Sequence, residues 1–226
     1  MMAQTESPIQ VYLEIGQTRT FAAALDWPGW CRSGRDAAAA LQALYDYAPR
    51  YAGVLQAAHL DFLLPGDASN LVVVEQVEGN ATTNFGAPAV TLSGDARPVN
   101  PDELRHWQGI LEACWQAVDT AVEAAAGRIL RKGPRGGGRD LDKVFQHVLD
   151  VDVAYLSSLG GKLDPDAGHT PASIRQAILT TLAAVVRGEV PARGPRGGLR
   201  WQPRYFVRRL AWHELDHAWE IEDRAA

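Results

Sequence analysis

Apolar positions change their rhythm partway along the chain. Over the first ninety or so residues they alternate or run in short blocks. The segments IQVYLEI (9–15) and TFAAALD (20–26) flank the turn GQTR and predict a β-hairpin, and NLVVVEQVEG (70–79) predicts a later strand. Between them, the Ala- and Leu-rich stretch from Asp36 to Gln56 predicts a helix.

Beyond the Gly-, Pro- and Asn-rich connector GAPAVTLSGDARPVN, apolar residues recur every three or four positions, with helix start signals between the runs. Asn100-Pro101-Asp102-Glu103 supplies an N-cap, a proline at the first helical position and an acid in the first turn, opening a helix to about Gly127. Arg139-Asp140 opens a second to about Gly160, Thr170-Pro171 a third to about Gly188, and Gln202-Pro203 a fourth to about Arg224. Four such helices joined by Gly- and Pro-rich loops predict a four-helix bundle. The expected fold class is α+β: a small N-terminal α/β domain over residues 1–95 and a four-helix bundle over 98–226.

Composition narrows the setting. A chain of 226 residues, 46% hydrophobic and 22% charged, is long enough for a sizeable core. Its two cysteines, Cys31 and Cys114, are too few for a disulfide framework and read as core residues of a protein in a reducing compartment. The opening residues lack the charged and apolar regions of a secretion signal, and no apolar run reaches a membrane span, so the expected location is the cytoplasm with no membrane partner. Residues up to Arg97 contain 5 basic and 10 acidic side chains, against 17 and 17 afterwards. The acidic N-terminal part, with no helix-turn-helix pattern after it, argues against nucleic acid as a partner. A homodimer is left open.

The chemistry gathers around histidines. On the fourth helix Phe206, Leu210, His213, His217 and Ile221 follow spacings of three and four, placing both imidazoles on the inward stripe. Two imidazoles one turn apart can share one metal ion. On the second helix Val144, His147, Val151 and Tyr155 form a similar stripe, which makes His147 the candidate third ligand. His59, His106 and His169 fall near helix ends or in loops and read as solvated.

His213-Glu214-Leu215-Asp216-His217 is also a literal match to the H-E-x-x-H pattern of zinc peptidases. Context speaks against that activity. Zincins whose third ligand is a glutamate take it from well downstream, whereas nine residues follow His217; the extended metzincin pattern requires Gly and His where this chain has AWEIEDR.

Helix geometry adds an independent expectation. At 1.5 Å per residue, His147 lies roughly 10 Å from the start of the second helix. The midpoint of His213 and His217 lies roughly 13 Å from the end of the fourth, but roughly 18 Å from its start. The depths match best if these helices run antiparallel, which requires one crossover connection, and KLDPDAGHT is just long enough to provide it.

FQHVLDVDVAYL on the second helix and RRLAWHELDHAWEIEDR on the fourth resemble the DinB-like superfamily (bacillithiol transferase type) of four-helix metalloproteins. The resemblance covers about residues 98–226. It implies a divalent metal, zinc first and nickel as an alternative, held by His147, His213 and His217. It further implies a bundle with a crossover, and a small-molecule substrate with a low-molecular-weight thiol as cosubstrate. LDWPGWCRSGRDAAAALQAL in the N-terminal part resembles HicB-like domains, which usually come with a DNA-binding appendage or toxin partner; with no such appendage after it, this acidic domain is read as an accessory or oligomerisation domain.

The function this implies is S-transfer by a metal-activated thiolate, with metal-assisted hydrolysis second and a non-catalytic, stress-associated metal protein as the alternative. Glu214, Asp216 and Asp150 are candidate general bases or acceptors for the ligand imidazoles, weighed against ordinary exposed helix charges. The basic loop GRILRKGPRGGGRD places Arg135 and Arg139 as candidates for binding the anionic part of the thiol. Its GPRGG recurs at 194–198, where the expected topology puts it at the opposite end of the bundle.

Overall fold

The computed structural model describes residues 8–132, 138–164, 166 and 168–225. They form two compact units that divide at Ser93 and Gly94.

The N-terminal unit is built on a mixed sheet. Strands β1 (Ile9–Ile15), β2 (Thr20–Ala24) and β3 (Cys31–Gly34) form an antiparallel meander. Helices α1 (Ala37–Asp46) and α2 (Ala48–Ala57) then carry the chain across to β4 (Leu71–Glu78), which pairs parallel with β1 in the order β3-β2-β1-β4. The expected hairpin and late strand are both present; β3 is an addition. The helix expected over 36–56 is two, meeting at Tyr47, because Pro49 removes a backbone donor and sits in the first turn of a new helix. Asp36 caps α1 by accepting from Ala39 N at 2.8 Å. Only glycine fits at Gly34, where an added Cβ would lie 2.4 Å from the Ala40 backbone nitrogen, so α1 starts hard against the end of β3.

Glu14 is fully buried yet satisfied, accepting from the Thr83 hydroxyl, from Ala89 N at 2.9 Å and from Val90 N at 3.1 Å. It ties β1 to the segment that follows the short helix α3 (Ala81–Phe85).

The second unit is the bundle: α4 (Pro101–Ala125), α5 (Leu141–Leu159), α6 (Pro171–Val186) and α7 (Pro203–Ala225). Two of the expected start signals cap through their side chains, while Asp140 stands at the start of α5 with no such bond. Asn100 accepts from Glu103 N at 2.9 Å, Thr170 and Ser173 form a reciprocal capping box, and Gly160 ends α5 at a φ of +107°.

Cross-links between helix ends set the directions. Trp201 N donates to Ser158 O at 2.9 Å, joining the start of α7 to the end of α5, while Arg224 Nη2 donates to Arg139 O at 2.8 Å at the other end. These two helices are therefore antiparallel. Arg204 pairs with Glu103, and Arg131 N donates to Arg224 O at 2.9 Å, so α4 and α7 run parallel. The direction reverses between α4 and α5 but not between α5 and α6, since Gly161 lies against Thr181 near the end of α6. The crossover is thus the connection between α5 and α6; of the two GPRGG repeats, the one at 133–137 lies outside the described residues. Part of the core is an apolar cluster of Val118, Ala121 and Ala125 with Val144, Val148, Ala218 and Ile221.

Among the described residues no helix is long and apolar enough to cross a membrane.

Candidate metal centre

Antiparallel packing brings equal depths of α5 and α7 together, and three imidazoles meet at that level. One ring nitrogen from each of His147, His213 and His217 can be chosen so that all lie within 4.8 Å of one another. Ring centroids are 4.6 Å apart for His213 and His217, 5.0 Å for His147 and His217, and 5.3 Å for His147 and His213. Such a cluster could hold a metal ion.

The burial of the set refines the expectation. On α7 the inward stripe holds as read, with His213 buried and His217 half-buried. On α5 the fully packed stripe is Val144, Val148, Asp152, Leu156 and Leu159, and His147, Val151 and Tyr155 run beside it, half-buried along the seam with α7. The offset is physically useful, because a ligand at the flank of the core can be reached from solvent and one at its centre cannot.

Basicity is suppressed where the rings are driest. Burial lowers the pKa of His213 well below its ordinary value, helped by the other two imidazoles and by the charges of Arg209 and Arg139. Burial lowers His147 too, with Arg139 and His217 adding to it. Both shifts favour neutral imidazole, the form that donates a lone pair.

His217 is oriented from outside the cluster. Its Nδ1 donates to Glu220 Oε2 at 2.8 Å, and Glu220 Oε1 accepts from Arg224 Nη1 at 2.6 Å. A carboxylate can only accept, so this bond assigns a proton to Nδ1, and in the neutral ring Nε2 is then the nitrogen that offers a lone pair. The hydrogen bond from His217 and the charge of Arg224 hold Glu220 below the usual carboxylate range, against the effect of burial. Arg224 is itself anchored on the carbonyls of Arg131 and Arg139, both at 2.8 Å. Sequence reasoning missed Glu220, although its spacing of three from His217 and four from Arg224 is the signal that would have found it.

The other candidates separate. Glu214 is not an exposed helix charge: it has no exposed surface, and its Oε1 lies 3.9 Å from His213 Nδ1, beyond hydrogen-bond reach. Asp150 is exposed and accepts from Gln146 Nε2 at 2.8 Å, although its charge is felt at His147. Asp216 is half-buried and has partners of its own. Arg139 is exposed, beside the Arg224 anchor. Arg135 lies outside the described residues. His59 and His169 are exposed, while His106 is half-buried.

Behind His213 lies an acid pair of which the sequence reading noticed only one member. Asp152 occupies the packed stripe of α5 and is as buried as Glu214. No oxygen of either has a hydrogen bond of good geometry, nor has Trp115 Nε1 or Arg175 Nε nearby, yet these groups are close enough to couple. Burial, reinforced by the charge of Asp152, pushes Glu214 well above the carboxylate range. Burial raises Asp152 to about 6, opposed by interactions with Glu214, Arg175 and Trp115. The pair is thus built to keep a proton at neutral pH.

A test follows from linkage. The unfolded carboxyl of Asp152 has an ordinary value of 3.8, so the folded state holds its proton more tightly. The associated stability is fully present below that value and is lost as pH rises through about 6. Asp152→Asn cannot ionise and escapes this loss. In metal-free protein near neutral or higher pH, the variant is expected to be more stable than the native chain, by on the order of 1–3 kcal/mol. Thermal unfolding followed from pH 4 to 8 checks this, the expected gap opening as pH rises. A gap that instead widens toward acid contradicts the assignment.

Comparison with family models, with curated proteins and with solved structures finds no match to this chain.

Proposed function

We propose that the chain is a metal-dependent enzyme of the DinB-like type. In this reading His147, His213 and His217 hold one divalent ion, zinc or nickel, and a low-molecular-weight thiol becomes the nucleophile in S-transfer to an electrophilic small molecule. The observation that carries the reading is the convergence of three imidazoles from two antiparallel helices, with ligand atoms within 4.8 Å. Neutral imidazole nitrogens suit zinc and nickel. A group of three, where a structural zinc site closes with four protein ligands, supports a centre that keeps a position for an exogenous ligand.

When bound, such an ion supplies the Lewis acidity that brings a thiol's pKa down toward neutrality. The remaining work falls to this chain's own residues. Glu220 fixes the tautomer and direction of His217, and the packed surroundings of His213 hold its ring still. Arg139, at the α5 start, places positive charge where the anionic portion of a thiol can pair with it. Glu214 serves the interior rather than the substrate, since a base must reach the proton it removes and this carboxyl is sealed. The same sealing argues against a peptidase built on the H-E-x-x-H match.

The experiment is turnover by the metal-loaded protein, with 1-chloro-2,4-dinitrobenzene as electrophile and bacillithiol, cysteine and coenzyme A as thiols. Conjugation forms a carbon–sulfur bond and releases chloride. Expected are metal-dependent conjugation with at least one thiol, a raised thiol KM in Arg139→Ala, and no cleavage of casein. Metal-dependent casein cleavage would overturn this reading, and full metal loading with no conjugation would favour the non-catalytic alternative.

A further inference from the structure

The N-terminal unit has a polar cleft of its own, with a volume of about 380 Å³. It opens where β1 and β4 end side by side: Ile15 stands opposite Glu78, and Gly79 N donates to Ile15 O at 2.8 Å. In the sheet β2 lies on one side of β1 and β4 on the other, so the two parallel strands flank the point at which the strand order reverses. In open sheets, the crevice outside the carboxyl ends of parallel strands at such a point is where ligands bind.

The floor of the cleft is backbone. A Cβ added at Gly16 would lie 2.5 Å from Asn84 Oδ1, and one added at Gly79 would lie 2.7 Å from the Thr83 side chain. Glycine at both strand ends lets α3 settle directly against them. Asn84 N donates to Asn80 O at 3.1 Å, so two asparagines of the lining stand one turn apart.

Each asparagine is pinned by its oxygen. Asn80 Oδ1 accepts from Thr82 N at 2.8 Å and from Thr83 N at 3.3 Å, and Asn84 Oδ1 accepts from Thr18 N at 3.1 Å. Those backbone donors identify the oxygen of each amide and leave its two N–H donors over for a ligand. Among the lining residues only Glu78 is ionised; it is exposed, and its carboxylate only accepts.

A matching ligand must accept from the amides and donate to the carboxylate. Adjacent hydroxyls do both, because each carries one donor and two acceptor lone pairs. An anion meets Glu78 with no cation in the lining to offset it, and an ammonium ion only donates, so it cannot use the amides. An apolar body offers the polar groups nothing in place of the water they lose. We propose that this cleft binds a small neutral polyol, a monosaccharide or a cyclitol, whose adjacent hydroxyls accept from Asn80 and Asn84 and donate to Glu78. The exposed side chain of Ile15 gives its C–H face an apolar seat. All of the lining belongs to the N-terminal unit, so this ligand is independent of the histidine cluster.

The probes are glucose, ribose and myo-inositol, with glucuronate, inorganic phosphate and cyclohexanol as controls, each titrated into full-length protein labelled with nitrogen-15 and followed by NMR. At least one of the three polyols is expected to bind saturably with a Kd on the order of 1–10 mM, the range open to so small a ligand in an open cleft. The amide shifts are expected to concentrate at residues 15–17 and 78–84. Each control binds about tenfold or more weakly than the best polyol. Asn80→Asp and Asn84→Asp keep the oxygen that accepts the backbone bonds and replace the donor amine with an acceptor, so both fold natively and weaken the polyol about tenfold.

No saturable binding by any of the three polyols, shifts that fall outside the cleft, a control that binds as tightly as the best polyol, or native affinity in both aspartate variants overturns the proposal. The first three outcomes need no variant, so they decide the matter even if a substitution disturbs the fold.

Discussion

Changing either His213→Ala or His217→Ala is expected to strip the protein of its metal and leave its helices intact. Binding free energies of structural zinc in small peptides run to about 10–16 kcal/mol over four ligands, so one imidazole of three is worth about 3–4 kcal/mol, or about 100- to 1,000-fold in affinity. A loss of that size takes the protein from stoichiometric occupancy to almost none after dialysis. The fold survives because the apolar cluster of α4, α5 and α7 contains none of the three histidines. Elemental analysis and far-ultraviolet circular dichroism on the same samples check both halves. Stoichiometric metal in the double variant would contradict the ligand assignment.

Glu220→Gln is expected to have the next largest effect while replacing none of the three histidines. The carboxylate lies 2.8 Å from His217 Nδ1 and 2.6 Å from Arg224 Nη1, so it both aims the ring and raises its electron density. Glutamine keeps the length but loses the charge, and its amide can turn a donor toward the ring and favour the wrong tautomer. Loss of such a supporting carboxylate typically costs about 10- to 100-fold in metal affinity. Competition against a chromophoric chelator measures it. Native affinity in the glutamine variant would reduce Glu220 to a surface ion pair.

Much of this architecture was legible because the signals were local. Asn100 and Thr170 act as the caps their positions suggested, and the three-and-four spacing on α7 placed His213 and His217 on one inward face. Equal depths along two helices then anticipated both the antiparallel pairing and the crossover. Features decided by tertiary context were harder to see. Strand β3 has four residues, CRSG, of which only Cys31 is buried, so it carries no alternation to detect; pairing with β2 makes it a strand. The alternation of β4 revealed a strand but not that its partner is β1, in parallel.

At the candidate site, the difference lay between an apolar stripe and its contents. Asp152 stands four residues from both Val148 and Leu156, the spacing of a core position, and a carboxylate there is what the reading passed over. Glu214 was a candidate base weighed against an exposed helix charge, yet helix α7 is buried around most of its girth, from Leu210 to Leu215 without interruption. In such a helix, polarity alone does not mark an outward face.

The central claim, that imidazoles from α5 and α7 share one ion, is tested most directly by X-ray absorption at the metal edge of protein purified without added metal. Expected is about one divalent ion per chain, bound by three imidazoles and at least one further light ligand, falling to two imidazoles in His147→Ala reconstituted with excess metal. Protein free of metal, or an imidazole count that does not change when His147 is removed, would contradict it.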